Sequence, residues 1–556
     1  MSREVTTTKS VMLEAIAEVS GVPACVLRSN FSSFHFPCKL SESRHAEAQV
    51  TGQSRIPRQS VLHGMPASVA SAPNLRSGRS RLPVCARFVL RLIPTRSLPG
   101  GTRKLEIPVH QQSIDKSITV ALIHGVKTIS PADLREPFYE GSVQRLFAVP
   151  GDDSVMVTQT TSRGSVFDVG ALFEIEGNDV NRALFRHVLY SRMADPAVWQ
   201  RVRQAITEAP ELDEDYRRDL LTGLLESCCE RGARTHHEGM LDAVTGEVSR
   251  SGVPANPSAC NVVRKYQILK PSRANFLGAH LFDYSQFSHE DGFVVPLEYI
   301  VRFGITSASS VYRKYTAMDA GARRAFEHEL GVSRPLEAWQ YLEKPVSDFT
   351  SKFEPEDRMV SKQEALVMSG LSGTQFADSG KLAVLGAWAV RHLVEEIGLL
   401  MWDIKWEFAK DGDELVFVDT IDTDSIRATM FIDVEGGRFV THYNKQAMRD
   451  YFALLHDDWI SDIKEAKALG QKAGVAFTEI LKAGQEKGEY AATPEVDPVF
   501  LDLQVRKMAA IRDYITGLAA ADVVRGVLAE AGREEIEFYR ARGVLEGLRK
   551  INGISS

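Results

Sequence analysis

The sequence predicts an α+β fold built on antiparallel hairpins, followed by a helical C-terminal region. Three stretches predict it. Asp403 to Asp419 (DIKWEFAKDGDELVFVD) reads as two strand-like runs around an Asp-Gly turn, with charged and apolar residues alternating in the first run. Phe138 to Asp168 reads as strand, glycine turn, strand, a Gly-Asp-Asp turn and a third strand entering a polar loop. Phe376 to Leu400 carries the apolar stripe of a long amphipathic helix ended by Gly398, and amphipathic helices fill most of the residues after 456.

A chain of 556 residues, 44% hydrophobic and 25% charged, has room for about three domains of ordinary globular composition. The net charge of -7 gives no general reason to expect nucleic acid or an anionic membrane as partner, and no apolar run approaches the roughly 18 residues of a membrane span. Six cysteines without a CxxC spacing fit a reducing compartment, and so a cytoplasmic location. Cys228 and Cys229 lie near His236 and His237, but adjacent pairs on a helical segment make no recognisable zinc site.

Residues 1–115 read as a largely disordered extension. From Ala48 to Leu105 there is no Asp or Glu, but there are nine arginines among Ser, Pro and Gly. Such a leader is a transit peptide, which would make the location organellar, a dispensable extension, or the product of a start codon placed too far upstream. Residues 116–315 are expected to form the N-terminal subdomain: an apolar run ITVALIHG, the hairpin and third strand, a helical pattern from Asn181 to about Glu247, the strand VVRKYQILKP, and the run FVVPLEYIVRFGITSASSVYRKY. Residues 316–455 hold a loop with Lys352, Glu356, Asp357 and Arg358 that reads as an ordinary helix start, then the long helix and the central hairpin. Residues 456–556 read as a helical cap or a self-association surface for a homo-oligomer.

The chemistry is expected at Asp403 to Arg427. Alternation puts Asp403, Lys405 and Glu407 on one face and Ile404, Trp406 and Phe408 on the other. With the turn near Gly412 or Asp413, Glu407 and Asp419 become neighbours, and two carboxylates held together call for a cation such as magnesium carrying a nucleotide phosphate. Arg427 supplies a fork for carboxylate or phosphate. The competing reading is a charged hairpin face open to water.

The pattern DxKxEF, an apolar strand, and then Asp419, Asp424, Ser425 and Arg427 resembles the C-terminal signature of the SAICAR synthetase (phosphoribosylaminoimidazole-succinocarboxamide synthase) family. Two further stretches resemble it in the family's order. Tyr139-Glu140-Gly141, followed by Thr161 to Asp168, is similar to its phosphate-covering hairpin and next loop; Pro296, Leu297, Glu298 and Arg302 are similar to its substrate-phosphate motif. Ser142 and Gln144 stand where the family has cations, Thr420 replaces an acid, Phe303 replaces an asparagine, and the family's Gly-Ser becomes Ser307-Ala308-Ser309. The loop with Lys352, Glu356, Asp357 and Arg358 resembles the family's lid. NKQAMRDYF resembles a family helix in which Lys445, Arg449 and Asp450 hold the lid or fold, and the stretch after Met193 is longer than the family's, an insertion.

The resemblance implies an ATP-grasp or kinase-like two-subdomain body with antiparallel sheets, and ATP-dependent amide formation between carboxyaminoimidazole ribotide and L-aspartate through an acyl phosphate. It implies ATP and Mg2+ as cofactors, Lys405, Glu407 and Asp419 as catalytic residues, and Glu407 and Asp419 as metal ligands. ATP would lie against Gly141, Ser142, Arg145, Arg264 and Lys265. Substrates would meet Arg163, Ser165, Asp168, Arg302, Ser307, Ser309, Asp403, Asp424, Ser425 and Arg427. Two rivals stand beside this: a paralogous ligase for another carboxylate and amine, raised by Phe303 and the Ser307 region, and a non-catalytic nucleotide-binding homologue, raised by the missing hairpin lysines.

Overall fold

The computed structural model describes residues 128–130, 133–354 and 357–554. The expectations for the extension 1–115, for the run ITVALIHG and for Glu356 lie outside them. The hairpin of β1 (Tyr139–Glu140) and β2 (Gln144–Val149) is followed by β3 (Asp152–Thr160) and a short pair, β4 (Arg163–Gly164) with β5 (Phe173–Glu174). Four helices come next: α1 (Asn178–Met193), α2 (Pro196–Glu208), α3 (Glu214–Leu221) and α4 (Leu224–Arg231). β6 (His237–Asp242), β7 (Val248–Ser249) and β8 (Pro257–Arg264) complete an antiparallel sheet in the order β1-β2-β3-β8-β6-β7.

An arm of β9 (Ser272–Phe276) and β10 (Ala279–Asp283) leads to a second sheet, which opens with β11 (Phe293–Val294) and β12 (Leu297–Ile305). Helices α5 (Ser310–Thr316) and α6 (Ala320–Leu330) precede β13 (Gln340–Ser351) and β14 (Met359–Val360). Then α7 (Lys362–Ser369) and α8 (Gly373–Glu395) precede β15 (Leu400–Asp411), β16 (Glu414–Val418), β17 (Ile426–Val434) and β18 (Gly437–His442). The order is β14-β13-β12-β15-β17-β18, with β11 and β16 also paired to β15. The two sheets meet where Thr235 bridges Phe417 and Gln267 bridges Phe293.

Local chemistry explains the element ends. Asp411 pairs with Glu414, so Gly412 and Asp413 are the two turn residues, and Gly412 supplies the positive φ, +65°, that a tight hairpin needs. Ser372 and Gln375 form a capping box at the start of α8, and the Asp195 side chain caps α2 with Pro196 at its first position. α8 then lays Leu382, Leu385 and Trp388 into the main core with Ile404, Trp406 and Phe408 of β15.

The helical pattern expected from Asn181 to about Glu247 ends at Arg231. Gly232 takes φ +76°, and a Cβ there would stand 2.1 Å from the Ala194 carbonyl oxygen, so only glycine lets the chain leave the helix beside α1. His237 therefore lies on a strand, paired opposite Val263 of β8.

After β18 come α9 (Gln446–Leu455), α10 (Asp457–Ala473), α11 (Phe477–Glu486), α12 (Pro498–Ile515), α13 (Ala521–Ala541) and α14 (Leu545–Asn552). α12 packs on α1, α13 on β17 and β18, and α14 on β18 and α9. Their hold includes a buried ion pair: Lys507 Nζ donates to Glu535 Oε2 at 2.5 Å and to the His442 carbonyl at 2.9 Å. Among the described residues no helix is long and apolar enough to cross a membrane.

Candidate active site

Register aligns the charged face. Arg302 lies opposite Asp403 and Ile300 opposite Lys405 across β12 and β15, so Glu298, two residues before Ile300, projects on the face of Lys405 and Glu407. Lys405 Nζ donates to Glu298 Oε1 at 2.7 Å and to Glu407 Oε1 at 2.6 Å, and lies 3.7 Å from Asp419 Oδ2. Lys352, at the end of β13, pairs with the other oxygen of Glu407. Glu407 and Asp419 thus converge, as the hairpin register predicts.

Burial, and then the neighbouring Asp419 carboxylate, push the Glu407 carboxyl up to about 7. Burial also opposes the charge on Asp419, but Lys405 and Lys352 outweigh it and hold that carboxyl below its usual range. Burial pushes the Asp357 carboxyl up, and the nearby Glu298 carboxylate adds to it. Glu298, Asp357, Glu407 and Asp419 outnumber Lys352 and Lys405 by two, a deficit that one divalent cation would balance. Among the described residues no three His, Cys, Asp or Glu side chains form a ready-made cage. That donor set fits magnesium, which takes one or two carboxylates and fills its octahedron with water and phosphate oxygens. Glu407 and the half-exposed Asp419 would hold it.

A second cluster lies alongside. Asp403 Oδ2 accepts from Arg302 Nη1 at 2.9 Å and from Arg427 Nη1 at 3.2 Å, so both arginines meet at one carboxylate. Their environments differ. Arg302 is buried, forks onto Asp348 at 2.5 and 2.9 Å, and donates to Ser309 Oγ at 3.4 Å. Arg427 also donates to Thr306 Oγ1 at 3.1 Å and keeps an exposed edge. Half-buried Lys445 and Arg449 of the α9 region stand close by with no acidic partner among the described residues. Burial lowers both; Arg449 and Lys405 lower Lys445 further, and Arg427 and Arg313 lower Arg449 further. Asp424 offsets part of this at both residues and Asp168 at Arg449, yet the cluster stays net cationic and suits an anion.

Ser307 Oγ donates to the Ile551 carbonyl at 3.4 Å, so it faces the end of α14. Phe303 points to the opposite side of β12 from Arg302, is 3% exposed, and packs edge-on against Trp388 at 5.5 Å. Its replacement of asparagine therefore alters the core and not the substrate side, contrary to the expectation that it touches the substrate grip.

At the first hairpin, Gly141 N donates to the Gln144 carbonyl at 2.8 Å, which leaves Ser142 and Val143 at the tip. Glu140 accepts from Arg145 Nε at 3.1 Å and from Arg163 Nη2 at 2.9 Å, and Arg163 also donates to the Gly141 carbonyl at 3.2 Å. Two guanidiniums against one carboxylate thus leave the tip cationic despite Ser142 and Gln144. Arg264 pairs with Glu238 at 3.1 Å and Lys265 lies over the Phe138 ring. Ser165 is half-buried in the next loop, and Asp168 pairs with Lys467 of α10 at 2.7 Å.

The Asp419 to Arg427 loop is braced from behind by α1. Asp419 takes φ +67°, unusual outside glycine, and Tyr190 Oη donates to its carbonyl at 2.9 Å. Arg182 Nη2 reaches Asp422 at 3.0 Å and Asp424 at 3.3 Å, and Arg186 Nη2 reaches Asp422 at 3.4 Å. Ser425 Oγ donates to the Thr420 carbonyl at 2.8 Å, closing the loop on itself. Sequence reasoning missed Asp348 and Arg182, and it named Lys352 only as a lid residue and Glu298 only within the substrate-phosphate motif, not as partners of Glu407 and Lys405. Only Glu298 left a signal, two strand alternations before Arg302.

Two antiparallel sheets, the second carrying a lysine-bridged carboxylate pair with a cationic cluster beside it, define an α+β protein whose site suits anionic ligands. The SAICAR synthetase family model matches residues 266–466. That segment holds both clusters, and over it the chain is similar to the SAICAR synthetase family. It is 29% identical over 265 residues to an Archaeoglobus fulgidus protein assigned to phosphoribosylaminoimidazole-succinocarboxamide synthase, covering 47% of this chain and 72% of that one. The phosphoribosylaminoimidazole-succinocarboxamide synthase of Thermoplasma acidophilum is 29% identical over 225 residues, covering 40% of this chain and 64% of that one. The SAICAR synthase of Saccharomyces cerevisiae, solved in complex with SAICAR, aligns with 71% of this chain and 96% of its own at 17% identity and a TM-score of 0.39.

Proposed function

We propose that the chain is an ATP- and magnesium-dependent carboxylate-amine ligase that makes the succinocarboxamide from carboxyaminoimidazole ribotide and L-aspartate in purine biosynthesis. The observation that carries this reading is the Glu298–Lys405–Glu407–Asp419 centre set beside the cationic cluster of Arg427, Lys445 and Arg449. A carboxylate is a poor electrophile for an amine because oxide is a hopeless leaving group. Phosphorylation by ATP gives an acyl phosphate, which the aspartate amine attacks with loss of phosphate.

In this reading Lys405 stabilises charge on the phosphoryl group in transit, while Glu298 fixes the direction of its ammonium. Glu407 and Asp419 would hold magnesium, which would neutralise the nucleotide phosphate oxygens. Arg427, Lys445 and Arg449 bind the ribotide phosphate or the aspartate carboxylates, and Asp403 holds Arg427 toward them. Arg302, saturated by Asp348 and Asp403, positions Asp403 and does not reach substrate itself. Gly141, Arg145 and Arg163 let the hairpin tip approach ATP. A cytoplasmic location is proposed with it, in keeping with the free, buried thiols of Cys228, Cys229 and Cys260.

A coupled ADP-release assay with ribotide and aspartate, run beside a magnesium-ATP binding measurement, tests the reading. Release that requires both substrates supports it. Magnesium-ATP binding without turnover would point to another carboxylate and amine, and failure to bind would remove the ligase reading altogether.

A further inference from the structure

A cavity of about 220 Å³ opens between α1, α2 and α8, and of these only α2 belongs to the stretch after Met193 that the sequence marks as an insertion. Its floor is apolar: Met193, Val202 and Leu393 line it and are all buried. Two exposed guanidiniums, Arg192 and Arg201, stand on its rim, and neither has an acidic partner among the described residues. The rim's one carboxylate, Glu396, is already engaged by His392 at 3.2 Å and by the Tyr514 hydroxyl. The uncompensated charge at the mouth is therefore positive.

An apolar floor under an unpaired cationic rim matches one ligand chemistry: a short hydrocarbon body ending in an anion. At about 220 Å³ the cavity is below the roughly 300–1,000 Å³ of sites for drug-sized molecules, which limits the body to a short chain or a single ring. We propose that this cavity is a binding site for a small amphipathic carboxylate, separate from the Lys405 centre. The ligand's apolar end packs on Met193, Val202 and Leu393, and its carboxylate meets Arg192 and Arg201. The site does not rest on the ligase reading.

Calorimetric titration of the full chain with octanoate, and with octylammonium as the charge-reversed control, tests it. Octanoate is expected to bind once per chain and octylammonium not to bind. Ala205→Trp, which fills the cavity, and the surface double variant Arg192→Ala/Arg201→Ala are each expected to weaken octanoate by about tenfold or more, with the melting temperature of the double variant unchanged. Absence of octanoate binding, equal binding of the two amphiphiles, or unchanged affinity in the double variant overturns the proposal.

Discussion

Lys405 and Glu298 meet across adjacent strands at 2.7 Å, so the ammonium at the heart of the site is aimed by a carboxylate from β12. Lys405→Met is expected to lower ADP release by about 10²–10³-fold with magnesium-ATP binding retained, because the charge is lost where it acts on the reacting group. Glu298→Gln keeps the lysine but loosens its aim, and an intermediate loss of about 10–100-fold is expected. Equal rates for Glu298→Gln and the unaltered chain would show that Glu298 has no part in aiming Lys405.

Arg449 lies in the cationic cluster without an acid of its own. Arg449→Ala should raise KM for the phosphorylated substrate by about tenfold or more and leave ATP affinity unchanged, since a charge-assisted contact of roughly 1.5–3 kcal/mol is lost on one ligand only. Steady-state kinetics in each substrate separate the two effects.

The buried fork from Arg302 to Asp348 predicts a stability defect ahead of a binding defect. Asp348→Asn removes the charge that balances a buried guanidinium and should cost about 3–5 kcal/mol in urea unfolding. Lys507→Met should cost a similar amount by stranding Glu535, whereas Lys507→Met combined with Glu535→Leu should recover most of it. A double variant no more stable than the single one would mean that the loss comes from packing.

His442 and Asp450 titrate against each other. Burial pushes the Asp450 carboxyl from 3.8 up to about 7, so the folded chain holds a proton there that the unfolded chain has released, and stability from this group falls as pH rises through that window. Burial pushes His442 from 6.5 down to about 4, so the unfolded chain holds the extra proton, and stability rises with pH over nearly the same range. The two slopes cancel. His442→Gln removes one of them, and its unfolding free energy is expected to decline by about 1.4 kcal/mol per pH unit between pH 4 and 7 relative to the unaltered chain. Parallel urea titrations across that range would read the difference, and parallel profiles would refute it.

What the sequence by itself determined is whatever local geometry enforces. Alternation along β15 put Asp403, Lys405 and Glu407 on one face, and an Asp-Gly turn brought Asp419 back beside Glu407, because a strand repeats every two residues and a two-residue turn fixes register. The end of the helical run at Gly232 was not legible, because it depends on the Ala194 carbonyl of a different element.

Tertiary structure alone decided which charges meet. Nothing near Asp422 in the chain announces Arg182 and Arg186, nothing near Glu407 announces Lys352, and nothing near Asp450 announces Asn552, whose side chain reaches it from the last helix at 3.3 Å. Ion pairs and hydrogen bonds act through space over a few ångströms and carry no periodic trace in sequence. The strands were therefore readable from their own residues, and the partners that set the charge, the pKa and the aim of each site residue became visible only once the sheets and helices had packed together.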